Sequence, residues 1–288
     1  MSVITFINSG REQTGKTMSI AAIATNMAIE HNYRILVVST TTAEDPFKRC
    51  FWEEKKTKKN LGIFGPNARI EVENGVEGLV RLIRSNRVSP EIITNYTKIV
   101  FKDRLEFLLG SEIEKSENSI LTIKTEQDEL SKAYPDIISA ANKYYDMVLV
   151  DLDSNVDEEN RENIIKNSDI VVMNMSQRLR ALEKYLELKS QKTVFQSRKT
   201  LILIGKYDKY SKYNAKNISR FLKEKNQVLT IPYDTLFFEA AEEAGVPDLF
   251  LRFRKSIDPE DRNAFFLSEV KRTSDNILYR LQDLQMRM

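Results

Sequence analysis

The feature that most constrains this chain is a glycine-containing loop that follows directly on a short strand-like run. Residues 3–7 are β-branched or aromatic, the loop reads Gly-Arg-Glu-Gln-Thr-Gly-Lys-Thr from Gly10 to Thr17, and an apolar helical stretch begins at Met18. Strand, Gly-x-x-x-x-Gly-Lys-Thr and helix in this order form a phosphate-binding loop, in which backbone N–H groups and a helix N-terminus surround an anion. The pattern therefore predicts a nucleoside triphosphate site.

Individual residues of this loop have expected tasks. The Lys16 ammonium would reach the β- and γ-phosphates, and the Thr17 hydroxyl would bind Mg²⁺. The alternative is a chance match in an ordinary strand–turn–helix, which is unusual in a chain with 9 glycines among 288 residues. We expect nucleotide contacts along the whole segment: Gly10, Arg11, Glu12, Gln13, Thr14, Gly15, Lys16, Thr17 and Met18.

Composition limits the chemistry that the rest of the chain can add. The 44 basic and 42 acidic residues leave a net charge of +2, so binding to nucleic acid or membrane would depend on a local patch. One cysteine, Cys50, and one histidine, His31, offer little for a disulfide, a zinc site or a histidine-based triad. With no signal-peptide pattern and no apolar run of about 18 residues, we expect a cytoplasmic protein.

Continuous apolar runs alternate with helical stretches along the chain. Such runs are typical of strands buried on both faces of a parallel sheet. They occur at residues 34–38, 145–151, 170–175, 200–204 and 228–231. The alternation predicts an α/β fold with a doubly wound, mostly parallel sheet flanked by helices. We assign residues 1–250 to one domain and residues 251–288 to a C-terminal helical arm packed on it.

Two helices in this scheme carry specific expectations. Residues 127–144 read as helical with a break or a start at Pro135, because proline interrupts the helical hydrogen-bond ladder. Residues 268–288 read as one helix with an apolar stripe. We expect this helix to pack on the core, and a partner-binding or membrane-lying helix are the alternatives. The basic cluster of Arg252, Arg254 and Lys255 is either a DNA patch or a solvated edge.

A second motif complements the phosphate-binding loop. Four apolar residues from Met147 deliver Asp151 to the end of a strand, which is a Walker B arrangement, although a strand can also end in Asp by chance. In a parallel sheet that end faces the ligand crevice. We therefore expect Asp151 to hold Mg²⁺ opposite Thr17. Asp153 and Ser154 would lie in the loop that senses the γ-phosphate.

With these residues in place, the chain resembles the ParA/MinD family of partitioning and positioning ATPases, most closely the TadZ/CpaE-like branch of pilus and secretion machinery. Arg11 stands where that family has an extra lysine after the first glycine. The run from Ile231 to Asp234, followed by residues 239–240 and 245–247, is similar to the family's C-terminal signature. The likeness extends over roughly residues 1–250. It implies a SIMIBI-like P-loop NTPase that binds Mg·ATP.

The resemblance also implies where the base lies. Residues after the signature proline, here Pro232 and Tyr233, would pass beside the adenine. Many relatives place an adenine-reading Asn where this chain has Gly205, and Lys206 with Asp208 reproduces the Lys-x-Asp of guanine-reading loops. Because that motif lacks its preceding Asn or Thr, we expect ATP, with Lys206 at the base.

One departure from the family pattern bears on ATP hydrolysis but not on nucleotide binding. The family usually carries acids after its second strand, where this chain has Ser39 and Thr41, and Glu44 and Asp45 follow only later. A hydroxyl is a poor base for positioning the attacking water. The resemblance implies a weak ATPase with Lys16, Arg11 and Asp151 in catalytic roles. A scaffold that binds nucleotide without hydrolysing it, and a small-molecule kinase or ligase, are the alternatives.

The resemblance finally implies partners. Two subunits would face each other across their nucleotides, with Arg11 either contacting phosphates of the partner subunit or remaining a charge in its own loop. Nucleotide would then control a homodimer that positions or assembles a cellular cargo. A partner protein or assembly platform is expected, with non-specific DNA and, less favoured, a membrane as other platforms.

Overall fold

The computed structural model describes residues 1–10, 12–53, 75–84, 89–111, 120–224, 226–254, 258, 260–261 and 263–287. These residues form one eight-stranded sheet in the order β3-β4-β2-β5-β1-β6-β7-β8. Neighbouring strands are parallel except for the antiparallel pair β3–β4. The strands are β1 Ser2–Asn8, β2 Ile35–Ser39, β3 Lys98–Phe101, β4 Leu105–Leu108, β5 Met147–Asp151, β6 Ile170–Met175, β7 Thr200–Tyr207 and β8 Leu229–Pro232. The predicted α/β class with a mostly parallel sheet is confirmed.

Helices cover both faces of the sheet because successive strand residues point to opposite sides. In β1, Ile4 and Phe6 join one hydrophobic core, and Val3 and Ile7 join a second core on the other face. Ten α-helices lie within the described residues: α1 Lys16–Glu30, α2 Phe47–Phe51, α3 Val76–Arg84, α4 Ile120–Ala141, α5 Glu158–Asn167, α6 Leu179–Gln191, α7 Ala215–Leu222, α8 Thr235–Glu242, α9 Val246–Arg252 and α10 Ala264–Gln285. The first core contains side chains of α1, α2, α8, α9 and α10.

Tertiary packing overrides local signals at several places. Helix α4 continues through Pro135, so the predicted break there is wrong. The helix buries Tyr134, Ile137 and Ile138 around this position, and that packing offsets the lost hydrogen bond. A 3₁₀ helix forms at Pro90–Tyr96, and residues 246–252 form the separate helix α9. Strand β3 was not predicted because only two of its residues are aliphatic.

The carboxyl ends of the central strands bring the predicted motifs to one edge of the sheet. Strand β1 lies between β5 and β6, and β5 lies between β1 and β2. Residue pairs Phe6–Asp151 and Ser39–Asp151 are in register, so the phosphate-binding loop, the end of β2 and the end of β5 converge. Ligands of open α/β sheets bind at this edge.

The C-terminal helix packs on the sheet. Helix α10 contacts β8 and α1, and it buries Phe266, Val270 and Ile277 in the first core. The Thr273 hydroxyl donates to the Thr230 carbonyl oxygen at 2.9 Å, which ties α10 to β8. Its apolar stripe is thus covered by protein, as expected for a packed helix, while the division of domains at residue 250 stays a prediction. Among the described helices, none combines the length and the apolar character required to cross a bilayer.

Candidate nucleotide-binding site

The loop between β1 and α1 has the backbone geometry of an anion cradle. Gly15 precedes α1 with φ +76°, a left-handed conformation that favours glycine. The Thr14 N–H donates to the Glu12 carbonyl oxygen at 2.9 Å, and the Thr14 hydroxyl donates to Asn8 Oδ1 at 2.6 Å. These bonds fix the loop to the end of β1. Arg11, the residue at the position of the family's extra lysine, lies outside the described residues.

The two predicted phosphate and metal motifs meet directly. The Lys16 ammonium lies 2.6 Å from Asp151 Oδ1 and donates to the Leu152 carbonyl oxygen at 2.5 Å. The Thr17 hydroxyl donates to Asp151 Oδ2 at 2.7 Å. The side chains of Lys16 and Asp151 are 7% and 8% exposed. The Lys16–Asp151 ion pair is thus buried at the start of α1, where the helix dipole also favours binding of an anion such as phosphate.

The donor set at Asp151 fits Mg²⁺. This ion prefers oxygen ligands, often one or two carboxylates together with phosphate oxygens and water. Asp151 and Thr17 offer a carboxylate and a hydroxyl on adjacent elements. Within the described part of the chain, no group of three or more His, Cys, Asp or Glu residues could hold a metal by itself. Phosphate oxygens and water would supply the remaining ligands of a Mg²⁺ ion at this position.

A cavity of about 530 Å³ extends from the phosphate-binding loop to the start of α8. This volume lies within the range of small-molecule sites, roughly 300–1,000 Å³. It brings together most residues expected to bind nucleotide: Glu12, Gln13, Thr14, Gly15, Lys16, Thr17, Met18, Lys206, Pro232 and Tyr233. Gly10 does not line this cavity. It packs against Lys184 instead, whose ammonium would lie only 2.8 Å from a Cβ atom added at Gly10.

The end of the cavity beyond Pro232 is aromatic. Tyr233 and Phe238 are 58% and 49% exposed, and their rings lie 6.4 Å apart along the cavity wall. Exposed aromatic faces offer a stacking surface for a planar base. Tyr233 was predicted to contact the base and Phe238 was not. The Phe-Phe pair that begins three residues after Asp234 could have indicated it, since it follows the proline predicted to lie beside the base.

Lys206 closes the loop side of the cavity. It has φ +52°, and its Cγ would lie 3.2 Å from a Cβ atom on Gly15. Asp208, the second member of the Lys-x-Asp pair, accepts a hydrogen bond from the Tyr210 N–H at 2.9 Å and is absent from the cavity lining. This arrangement gives no support to guanine reading by Asp208.

The sequence comparisons gave no assignment: no family model and no curated protein matches this chain. The structure is similar to a ParA family ATPase from Chlorobium tepidum TLS, with 14% identity, 97% of this chain and 98% of that chain covered, and a TM-score of 0.63. It is also similar to the septum site-determining protein MinD from Pyrococcus horikoshii OT3, complexed with Mg-ADP, with 13% identity, 96% and 97% covered, and a TM-score of 0.63. A plasmid partition protein from Borrelia burgdorferi B31 bound to AMPPNP matches with 18% identity, 98% of both chains covered and a TM-score of 0.58.

The chain has the ParA/MinD fold. Identities of this size establish the architecture, and the predicted resemblance in fold is confirmed over nearly the whole length of each chain. A fold by itself does not specify an activity, which depends on the residues of the site.

The segment after β2 is where this chain departs from the acids that the resemblance implies. The Thr40 hydroxyl donates to the Asp151 carbonyl oxygen at 3.1 Å and accepts from the Asp153 N–H at 2.8 Å. Thr40 therefore joins the ends of β2 and β5. Its neighbours Ser39 and Thr41 stood out in the sequence, whereas the bridging position of Thr40 did not.

Asp45 is a buried acid in the segment that follows β2. Its carboxylate accepts from the Phe47 N–H and the Gly110 N–H, each at 3.0 Å, and from the Ser39 hydroxyl. Burial raises the pKa of Asp45 above its ordinary 3.8, and nearby Asp151 adds to this effect. A raised pKa means that the folded state binds the proton more tightly, so the contribution of Asp45 to stability falls as the pH rises from 3.8 to its folded pKa. Asp45 serves the loop structure here, as Glu44 does through its ion pair with Arg49.

We expect Asp45→Ala to lower the free energy of unfolding by about 1–3 kcal/mol, because two backbone N–H groups lose their acceptor. The neighbouring Glu44→Ala is the control. It removes an exposed ion pair with Arg49, which should lower the free energy of unfolding less than Asp45→Ala does. Urea unfolding of the three proteins at neutral pH measures both values. Equal effects of the two substitutions would contradict a structural role for the Asp45 carboxylate.

Proposed function

We propose that this protein binds Mg·ATP and acts as a ParA/MinD-type ATPase, a nucleotide-dependent dimerisation switch that positions or assembles a cellular cargo. One observation carries the proposal: Lys16, Thr17 and Asp151 meet at one end of a cavity whose other end is aromatic. Charged and planar parts of a nucleotide match these two ends. The fold supports the same conclusion, since similar structures hold Mg-ADP and AMPPNP.

Different residues of the site would contact the phosphates, the metal ion and the base. The N–H groups of the loop up to Thr17 and the Lys16 ammonium would bind phosphate oxygens. Thr17 and Asp151 would hold Mg²⁺, which neutralises phosphate charge and orients the phosphates when bound. Pro232, Tyr233, Phe238 and the stem of Lys206 would enclose the base. Phosphate can replace Asp151 as a partner of Lys16, so the ion pair keeps the lysine in place until nucleotide binds.

Slow hydrolysis is the form of turnover that these residues favour. The hydroxyl of Thr40 and the carboxylate of Asp45 are engaged in bonds within the protein. Asp153 lines the cavity and follows Asp151 closely, and its carboxylate accepts from the Asn155 N–H at 2.9 Å. We assign Asp153 as the acid available to orient a water, since a base must lie within hydrogen-bond reach of the proton that it accepts.

A nucleotide-binding scaffold with little or no hydrolysis is the second candidate. The observation that favours it is the same departure after β2, where Ser39 and Thr41 replace acids and Thr40 is tied to β5. In this case nucleotide would stabilise a dimer that recruits partner proteins through its helices. The buried stripe of α10 makes a protein platform a better proposal than a membrane.

The test pairs ATP turnover with mass by light scattering, in the absence of nucleotide and with ADP, ATP or AMPPNP. We expect a monomer without nucleotide, a dimer with ATP and AMPPNP, and slow phosphate release. A dimer with no phosphate release would establish the scaffold. Failure of every nucleotide to bind would overturn both candidates, and turnover by a monomer that depends on an added small-molecule substrate would point to a kinase or ligase.

A further inference from the structure

A second cavity lies at the far end of α1 from the phosphate-binding loop. It has a volume of about 610 Å³ and is bounded by the last turns of α1, by α9 and by the first half of α10. Since α1 has 15 residues, its two ends are roughly 20 Å apart at about 1.5 Å per residue. None of the residues lining this cavity lines the nucleotide cavity.

The walls of this distal cavity are apolar and aromatic. Ile29 lies on the α1 side, Phe250 and Phe253 on the α9 side, and Phe265 and Leu267 on the α10 side. Phe250 and Leu267 belong to the first hydrophobic core, whereas Phe253 and Phe265 are only partly buried. An apolar body would remove the exposed part of these rings from water, which favours its binding.

The rim of the distal cavity is positive. Lys209, Arg254 and Lys271 line it, and Glu30 is the single acid among the lining residues that the structure describes. Glu30 lies 3.5 Å from Arg254 Nε and 3.8 Å from Lys271 Nζ, so one carboxylate is shared by two cations. The Lys209 ammonium lies 4.7 Å above the centre of the Phe265 ring. Three cations against one acid favour an anionic occupant.

A buried polar group also lines the cavity and lacks a partner. Asn26 is 8% exposed, and its side-chain oxygen makes no hydrogen bond within the described part of the chain. Leaving such a group buried and unpaired is unfavourable. An amide oxygen only accepts hydrogen bonds, so it would pair with a donor on the occupant or with a bridging water, and not with an anionic group.

We propose that the distal cavity binds a small apolar anion, an acyl or aryl carboxylate, separate from the nucleotide. The apolar body lies against Phe253 and Phe265, and the carboxylate pairs with Arg254 and Lys271 in place of Glu30. Arginine suits this task because its planar fork can donate two parallel hydrogen bonds to a carboxylate. The volume is that of a small-molecule site.

The test compares three ten-carbon probes that share a tail and differ in head charge: decanoate, decanol and decyltrimethylammonium. Each is titrated below its aggregation concentration into nucleotide-free protein, with binding followed by calorimetry and by NMR shifts of the phenylalanine rings. We expect saturable binding of decanoate, at least tenfold weaker binding of decanol, and none of the cation. Using nucleotide-free protein keeps the result independent of the proposed ATPase function.

Charge reversal at the rim supplies the matched variants. Arg254→Glu and Lys271→Glu should each weaken decanoate binding about tenfold. Lys216→Glu makes the same charge change on an exposed residue of α7 outside this cavity. It should leave decanoate binding unchanged. Thermal melting checks that all variants stay folded.

Four results would overturn the proposal. The first is equal affinity for decanoate and decanol, and the second is an equal effect of the rim and control variants. The third is a crystal structure of the free protein in which its own side chains fill the cavity. The fourth is binding seen only at millimolar probe concentration, since a built site should saturate well below that level.

Discussion

Replacing Lys16 with alanine is expected to lower Mg·ATP affinity about 10- to 100-fold. The ammonium is buried beside Asp151 at the start of α1, where it would donate charge-assisted hydrogen bonds to phosphate. Each such bond contributes about 1.5–3 kcal/mol, and about 1.4 kcal/mol is a factor of ten in affinity. Calorimetric titration with Mg·ATP measures the loss, and Lys216→Ala is the control for removing an exposed lysine elsewhere.

The same substitution should also destabilise the nucleotide-free protein. It leaves the Asp151 carboxylate buried without its cation, and breaking a buried ion pair from one side costs about 3–5 kcal/mol. The double variant Lys16→Ala with Asp151→Ala should recover part of this stability, because neither charge is then left alone. It should still bind Mg·ATP poorly. If Lys16→Ala folds and binds Mg·ATP like Lys216→Ala, the loop is not the nucleotide site.

The sequence was most informative where the fold needs long apolar runs or rigid motifs. Strands β5, β6 and β7 are buried on both faces, so their residues read as continuous hydrophobic stretches. The phosphate-binding loop needs a left-handed residue before the helix, and Gly15 marks it. These requirements are local, and they could be predicted without knowing what packs against them.

The missed features depend on contacts between distant segments. Pro135 argued for a helix break, yet the packing of α4 on the sheet keeps the helix continuous. The burial of Asp45 depends on the Gly110 N–H, which is 65 residues away. Nothing in the local sequence around Asp45 indicates that partner. Non-local hydrogen bonds of this kind determine which polar residue of a loop faces the ligand and which supports the fold.

The segment after β2 shows the same limit at single-residue scale. Ser39 and Thr41 were predicted to stand at the positions of the family's acids, and the hydroxyl that joins β2 to β5 belongs to Thr40, between them. Adjacent residues of an extended chain point to opposite sides. The resemblance concerned only the positions of the acids, so it could not indicate that the Thr40 hydroxyl, between those positions, bonds to the end of β5.

Gly205→Ala is expected to disrupt the nucleotide site from outside its motif. Gly205 lies in β7 beside the phosphate-binding loop, and a Cβ atom there would lie 2.2 Å from the Thr14 carbonyl oxygen and 3.3 Å from Ser19 Oγ. The clash is between two backbone segments, so no side-chain rotation can relieve it. Overpacking of this kind costs about 1–3 kcal/mol, and the shift should also displace Thr14 and Gly15 from their phosphate-binding geometry.

Gly245→Ala is the matched control for this prediction. The nearest atom to a Cβ at Gly245 would be Ala240 Cα at 3.5 Å, an ordinary contact, and its φ of −94° is open to alanine. The free energy of unfolding of the Gly245→Ala variant should differ from that of the wild type by at most about 0.5–1 kcal/mol. Urea unfolding and Mg·ATP titration of both variants separate the two positions. If Gly205→Ala keeps wild-type stability and affinity, the approach of β7 to Thr14 does not hold the loop, and the close contact between them is not what shapes the site.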